Sequence, residues 1–226
     1  MGGGEMRKIL FNDNFKLTQA VFDGRKTQTR RIVPKRVLDN IKQFQEEYYD
    51  ATFDKLEDVE LLTHYFLTER RGKLPYNIGE VVAVAQSYCA IAEELENCNN
   101  ATCAAHYEKN VQKASEYILW MEHPGFNNKL FVAADMMIHR IHITNVRVER
   151  LQDISDECCL KEGIIKKWHA PACKNYYYVP GVEVKSVKDV HDTPQDAFAH
   201  LINKVSRKDV WSENPYVFVY DFELVK

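Results

Sequence analysis

Six cations stand between Gly24 and Asp39 with no acid among them: Arg25, Lys26, Arg30, Arg31, Lys35 and Arg36. Side chains of this kind hold phosphates, and the planar fork of Arg31 suits a phosphate or a base edge. The chain as a whole carries a formal net charge of −3, so a nucleic-acid partner must be met by such a local patch. The plain alternative for a charge run is a solvated face. The compensating acids lie downstream, over residues 46–60 and 93–96.

The same stretch contains an amine and two hydroxyls, Lys26 with Thr27 and Thr29. A lysine starts near a pKa of about 10.4 and acts as a base only if desolvation or neighbouring positive charge lowers that value. Arg25, Arg30 and Arg31 could supply such charge. A lysine that keeps its proton would instead stabilise an oxyanion.

The elements that position these residues follow from local patterns. Residues 6–11 form a short apolar run broken by Asn12-Asp13-Asn14, which reads as a first strand and then a helix N-cap. Leu17, Ala20 and Val21 keep helical spacing, and Gly24 stands where a left-handed C-terminal cap favours glycine. The helix end therefore delivers the basic octet, expected as an exposed turn running into a strand that Pro34 stops. Lys26 and Thr29 would lie on opposite faces of a straight strand, so they converge only if the chain turns between them.

Further on, residues 81–90 read as a buried strand and residues 93–102 as a polar loop. The clearest long strand covers residues 137–151: Ile141 and Ile143 alternate, then Val146 and Val148 continue after a one-residue shift near Thr144-Asn145. Ser155 is an expected N-cap and Gly163 an expected helix end, which leaves Glu162 at the helix C-terminus, where the macrodipole disfavours a carboxylate. That placement suits a proton shuttle, although an exposed helix-end glutamate would read the same way. Residues 166–190 have little periodicity and suggest an irregular loop with one hairpin. Residues 194–205 form a helix, and residues 216–225 a closing strand with Tyr216, Phe218, Tyr220 and Phe222 on one face.

Apolar residues make up 45% and charged residues 28%, the balance of a globular chain rather than a disordered one. No stretch reaches the roughly 18 apolar residues of a membrane helix, and no charged-then-apolar leader precedes the first helix. A cytoplasmic protein without a membrane partner is expected. Six irregularly spaced cysteines point to reduced thiols rather than a disulfide framework. Cys98, Cys103 and His106 have loose ligand spacing that His169 or Cys173 could complete for zinc, but two tight Cys pairs are missing, so neither metal nor cofactor is expected. Cys158-Cys159 reads as small apolar packing, and Tyr176-Tyr177-Tyr178 as loop packing in preference to base stacking. One domain over residues 1–226 is expected, with a helical insertion at about 36–72 and a second at about 91–130. Dispersed strands with helices between them suggest an α+β fold, a mixed β-barrel with peripheral helices.

Three segments carry a resemblance. Asp23-Gly24-Arg25-Lys26-Thr27-Gln28-Thr29-Arg30-Arg31 resembles the signature near the start of ASCH-domain proteins, especially the branch common in phages and prophages. Residues 146–155, followed by Glu162-Gly163-Ile164, resemble that branch's central strand and helix, and residues 211–219 resemble its closing strand. The resemblance implies a PUA-like barrel, a fold often used to bind RNA. Where the branch reads Trp-Val-Arg-Glu-Thr-Trp, this chain has Ala83-Val84-Ala85-Gln86-Ser87-Tyr88, so a charged pair is lost and Gln86 joins Arg25, Arg30 and Arg31 as a ligand-binding candidate.

A small bacterial member of the wider family hydrolyses N4-acetylcytidine with a lysine, a threonine and a glutamate. The resemblance carries those roles to Lys26, Thr29 and Glu162. In such chemistry Thr29 would be the nucleophile, Lys26 its base or the oxyanion's partner, and Glu162 the proton shuttle. Three functions therefore stand as expectations. The first is a basic cleft that binds RNA or a modified nucleoside. The second is an amidohydrolase of an acylated nucleoside, and the third a phage assembly-related protein without catalysis.

Overall fold

The structure is a computed structural model that describes residues 6–39, 74–96, 121–186 and 189–225. Of the expected insertions, residues 40–73 and 97–120 lie outside the described residues, and Cys98, Cys103 and His106 lie there with them.

In chain order the first elements are β1 (Lys8–Ile9), α1 (Leu17–Phe22), β2 (Gln28–Ile32), β3 (Val81–Val84), α2 (Tyr88–Glu96) and β4 (Arg140–Arg150). Then come α3 (Asp156–Lys161), β5 (Ile165–His169), β6 (Lys174–Tyr178), α4 (Pro194–Ser206), α5 (Val210–Glu213) and β7 (Tyr216–Leu224). The fold is mixed α+β. Two compact units share the chain: one from Met1–Phe11, Val81–His142 and Leu224–Lys226, the other from Asn12–Glu80 and Ile143–Glu223.

In the first unit β1 runs parallel to β3, and β3 pairs antiparallel with the start of β4, so the sheet is mixed. Its core gathers Ala83, Ala85, Ile91, Val132, Met136 and Met137. The Lys8 ammonium donates to the carbonyls of Leu130 and Val132, both at 2.7 Å. The strand expected over residues 81–90 stops at Val84, because Ser87 accepts from the Ala90 N–H at 3.2 Å and opens α2 instead. A hydroxyl that satisfies an orphan N–H favours a helix start over continued pairing. Residues 93–96, expected in a loop, complete that helix.

In the second unit β2 pairs antiparallel with β7, and β7 lies beside β4. Along β4 the buried positions are Ile141 and Ile143, then Val146 and Val148, with Thr144 and Asn145 exposed between them. The shift in parity is the one the sequence pattern demanded. Gly24 holds φ +70 directly after α1, Ser155 accepts from the Cys158 N–H to cap α3, and Thr193 accepts from the Asp196 N–H to cap α4. Helix α3 packs against α4 and against β2. The segment expected to be mostly irregular forms a regular antiparallel hairpin of β5 and β6, with Lys167 opposite Tyr176. Among the described residues no helix is long and apolar enough to cross a membrane.

Candidate functional site

Lys26 leaves the end of α1 with its backbone N–H held by the Ala20 carbonyl at 2.8 Å. Its aliphatic stem is buried, and the residue keeps 2% of its surface exposed. The turn expected to be open is closed at this position, because Gly163 lets α3 end against α1. A Cβ on Gly163 would sit 3.5 Å from Leu17, 3.7 Å from Ala20 and 3.8 Å from the Lys26 Cβ. Glu162, the C-cap of α3, therefore meets Lys26 directly. The Lys26 ammonium pairs with Oε2 of Glu162 and also donates to the carbonyls of Gln28 at 2.7 Å and Glu162 at 3.0 Å. Three acceptors match the three hydrogens of an ammonium.

Arg30 completes the cluster from β2. Its Nη1 donates to Oε1 of Glu162 at 3.0 Å and to the Gln28 side-chain carbonyl at 2.7 Å. The other edge of the guanidinium binds Oε1 of Glu149 through Nε at 3.0 Å and Nη2 at 2.5 Å. Gln28 in turn donates to Asp221 at 2.5 Å, and Arg147 joins Asp221 at 2.7 Å and Glu149 at 3.2 Å. The Arg30 guanidinium also lies over the Phe198 ring of α4, 5.8 Å from its centroid. The result is an alternating chain of buried and half-buried charges, in which Glu162 and Glu149 each answer two cations.

Burial drives the Lys26 pKa below the usual lysine value, Glu162 opposes that shift, and the charges of Arg31 and Arg30 add to it. Burial lowers the Arg30 pKa as well, but Glu162 and Glu149 outweigh it and hold the guanidinium more firmly charged than usual. The two cations therefore have different roles. Arg30 is a fixed positive charge, whereas Lys26 is the group whose proton is loosened by burial.

The structure brings Lys26, Arg30 and Glu162 together. Thr29 is 4% exposed, and strand alternation turns its side chain to the face of β2 opposite Gln28 and Arg30, the face of its register partner Tyr220. Among the described residues its hydroxyl makes no hydrogen bond. Arg25 is exposed and bound to Asp23 at 2.8 Å, while Arg31 is half-buried. Gln86 belongs to the first unit: its amide nitrogen donates to Glu94 at 2.8 Å, and its carbonyl accepts from the Ile138 N–H at 3.2 Å. Glu94 also meets His139 at 2.5 Å, and although burial would raise its carboxyl pKa, His139 and Gln86 bring it below the ordinary value.

Gln28, Arg147, Glu149 and Asp221 were not among the expected site residues. Their signal was in the sequence: Arg147 and Glu149 alternate with buried Val146 and Val148, and Asp221 interrupts the aromatic run between Tyr220 and Phe222. Charges at regular intervals on buried strands call for partners. Beside them Cys158 touches Arg147 at 3.9 Å; burial alone would raise its thiol pKa, but Ser155, Gln28 and Arg30 lower it. Burial pushes the Cys159 thiol up to about 12. Among the described residues no three or more His, Cys, Asp or Glu side chains gather as a metal site; His169 contacts Tyr176 and Cys173 is exposed.

Comparison with protein-family models, with curated proteins and with solved structures finds no match to this chain.

Proposed function

We propose that this chain is a PUA-like, ASCH-type protein that hydrolyses the amide of an acylated nucleoside such as N4-acetylcytidine, with Lys26 and Glu162 moving the proton. The observation that carries the reading is the buried Lys26–Glu162 pair, in which the lysine sits below its usual pKa beside a carboxylate held by a second cation. A buried lysine whose proton is loosened beside a specific charge partner is a kind of group that concentrates where chemistry is done. The binding reading loses support at Arg30, whose guanidinium is occupied by Glu149 and Glu162 and so has little left for a phosphate.

In this mechanism a water attacks the amide carbon as Lys26 takes its proton, and Thr29, on the opposite face of β2, is not the nucleophile. The proton passes through Glu162 to the leaving exocyclic amine as the carbon–nitrogen bond breaks, and the acyl group leaves as its carboxylic acid. Arg30 fixes the Glu162 carboxylate and does not titrate. The test is product formation from N4-acetylcytidine by the purified protein beside Lys26→Ala and Glu162→Gln. Loss of each group is expected to slow turnover by about 100-fold or more; equal product from all three proteins rejects the reading.

A second reading, binding of RNA or a modified nucleoside without turnover, is favoured by one observation: Thr29 faces away from Gln28 and Arg30 on β2. Saturable binding of the nucleoside with no product, even at high enzyme concentration, would select it.

A further inference from the structure

The β5–β6 hairpin starts three residues after Glu162, and its composition differs from the rest of the chain. Residues 163–182 contain Lys166, Lys167 and Lys174, one histidine and four aromatic residues, and no acid. Pairing in register sorts them by face. Lys167 lies opposite Tyr176, His169 opposite Lys174 and Ile165 opposite Tyr178, so two lysines, a histidine and two tyrosines share one side of the ribbon.

That side is the floor of two adjoining hollows. One, of about 450 Å³, is lined by His169, Lys174, Tyr176, Tyr178 and Asp192. The other, of about 330 Å³, is lined by Ile165, Lys167 and Tyr178. Tyr178 and Val184 border both, so together they form a trough along the ribbon toward its Ile165 end, the end nearest Glu162 in the chain. Within it the Lys174 ammonium sits 4.6 Å from the Tyr176 ring centroid, that of Lys167 sits 5.8 Å from the Tyr178 centroid, and His169 meets Tyr176 edge to face at 5.6 Å. The tyrosines are half-buried, which fixes their rings, while Lys167 and His169 are exposed. Lys174 has a partner in Asp192, and both side chains are open to solvent at 49% and 70%.

We infer that this trough is a binding site for single-stranded polynucleotide. Ordered aromatic rings alternating with lysines give the two elements such a ligand needs, a stacking surface for bases and cations for the backbone. A duplex hides its base faces in its own stack, so a floor of tyrosine rings selects unpaired strands. The net negative charge of the whole chain gives no general attraction, and the acid-free ribbon is where a polyanion would settle. The inference concerns binding and holds whether or not the Lys26 site turns a substrate over.

Fluorescence anisotropy of the full chain with labelled oligouridylate of about 12 nucleotides, the matching oligodeoxythymidylate and a duplex of equal length tests it. Both single strands are expected to bind more tightly than the duplex, and any preference between them reports a contact to the 2′-hydroxyl. The pair Tyr176→Ala with Tyr178→Ala should weaken binding about tenfold or more, whereas Tyr176→Phe with Tyr178→Phe should keep most of it. The pair Lys167→Ala with Lys174→Ala, on exposed side chains that folding does not need, should reduce the salt dependence by about 0.7 per lysine. Unchanged affinity in the lysine pair overturns the site. So does equal affinity for the duplex, or displacement of the oligonucleotide by polyglutamate at equal charge, which would mark an acidic-peptide surface.

Discussion

Lys26 and Glu162 stand 136 residues apart in the chain and form a buried ion pair, with the Glu162 backbone carbonyl accepting a second bond from the same ammonium. Removing a charge from such a pair leaves the other stranded in a poorly solvated place, and the cost of the orphan exceeds the value of the bond itself. Glu162→Gln would leave Lys26 and one edge of Arg30 without their carboxylate. Urea unfolding is expected to show a loss of about 3–5 kcal/mol, and a loss below about 1 kcal/mol would show that water already reaches the pair.

The lowered Lys26 pKa fixes the sign of a pH effect. The unfolded chain keeps the lysine proton up to its usual value of 10.5, whereas the folded chain gives it up at lower pH. Between those two values the unfolded state binds more protons, so this group's contribution to stability rises with pH and is flat on either side. If Lys26 is the base, kcat/KM for an acylated nucleoside should climb with pH and level off below 10.5. A titration of labelled lysine carbons by NMR reads the value directly. An inflection at or above 10.5 would remove Lys26 from the role of base.

Arg30→Lys should not be conservative. The guanidinium spans Glu149 on one edge and Glu162 with Gln28 on the other, and a single ammonium cannot reach both carboxylates with that geometry. Each lost bond to a charged group costs roughly 1.5–3 kcal/mol, so a drop within that range in thermal or urea unfolding is expected. Wild-type stability would mean that Glu149 and Glu162 need no common bridge.

Gly163→Ala separates strain from crowding. The added methyl would make only ordinary contacts with Leu17, Ala20 and Lys26, but the backbone holds φ +105, which side-chain-bearing residues rarely adopt. A loss of about 1–3 kcal/mol is expected from backbone strain alone. Because Gly163 follows Glu162, relaxation of that strain should also shift the Lys26 titration upward, as the pair gains water. Unchanged stability and titration would show that the turn accepts any residue.

Much of this arrangement is written locally in the chain. Ser155 and Thr193 cap helices through their own side chains, whereas Asn12 caps only a short 3-10 turn over Asp13–Phe15 and Lys16 precedes α1 with no side-chain cap; Gly24 and Gly163 end helices at positive φ, and the valines and isoleucines of β4 mark the buried face and the slip at Thr144-Asn145. These features depend on near neighbours, so spacing alone exposes them. The end of β3 was less legible, because a run of apolar residues fits a strand or a helix equally well and a single serine hydroxyl decided it. Composition likewise marked residues 24–36 as basic, but only tertiary structure determined which of those cations face water. Arg25 does, whereas Lys26 and Arg30 are taken inside by Glu149 and Glu162. No local rule predicts that outcome. A charge is buried when the folded chain brings an opposite charge from far along the sequence, and whether it does depends on the pairing of β2 with β7 and the packing of α3 on β2.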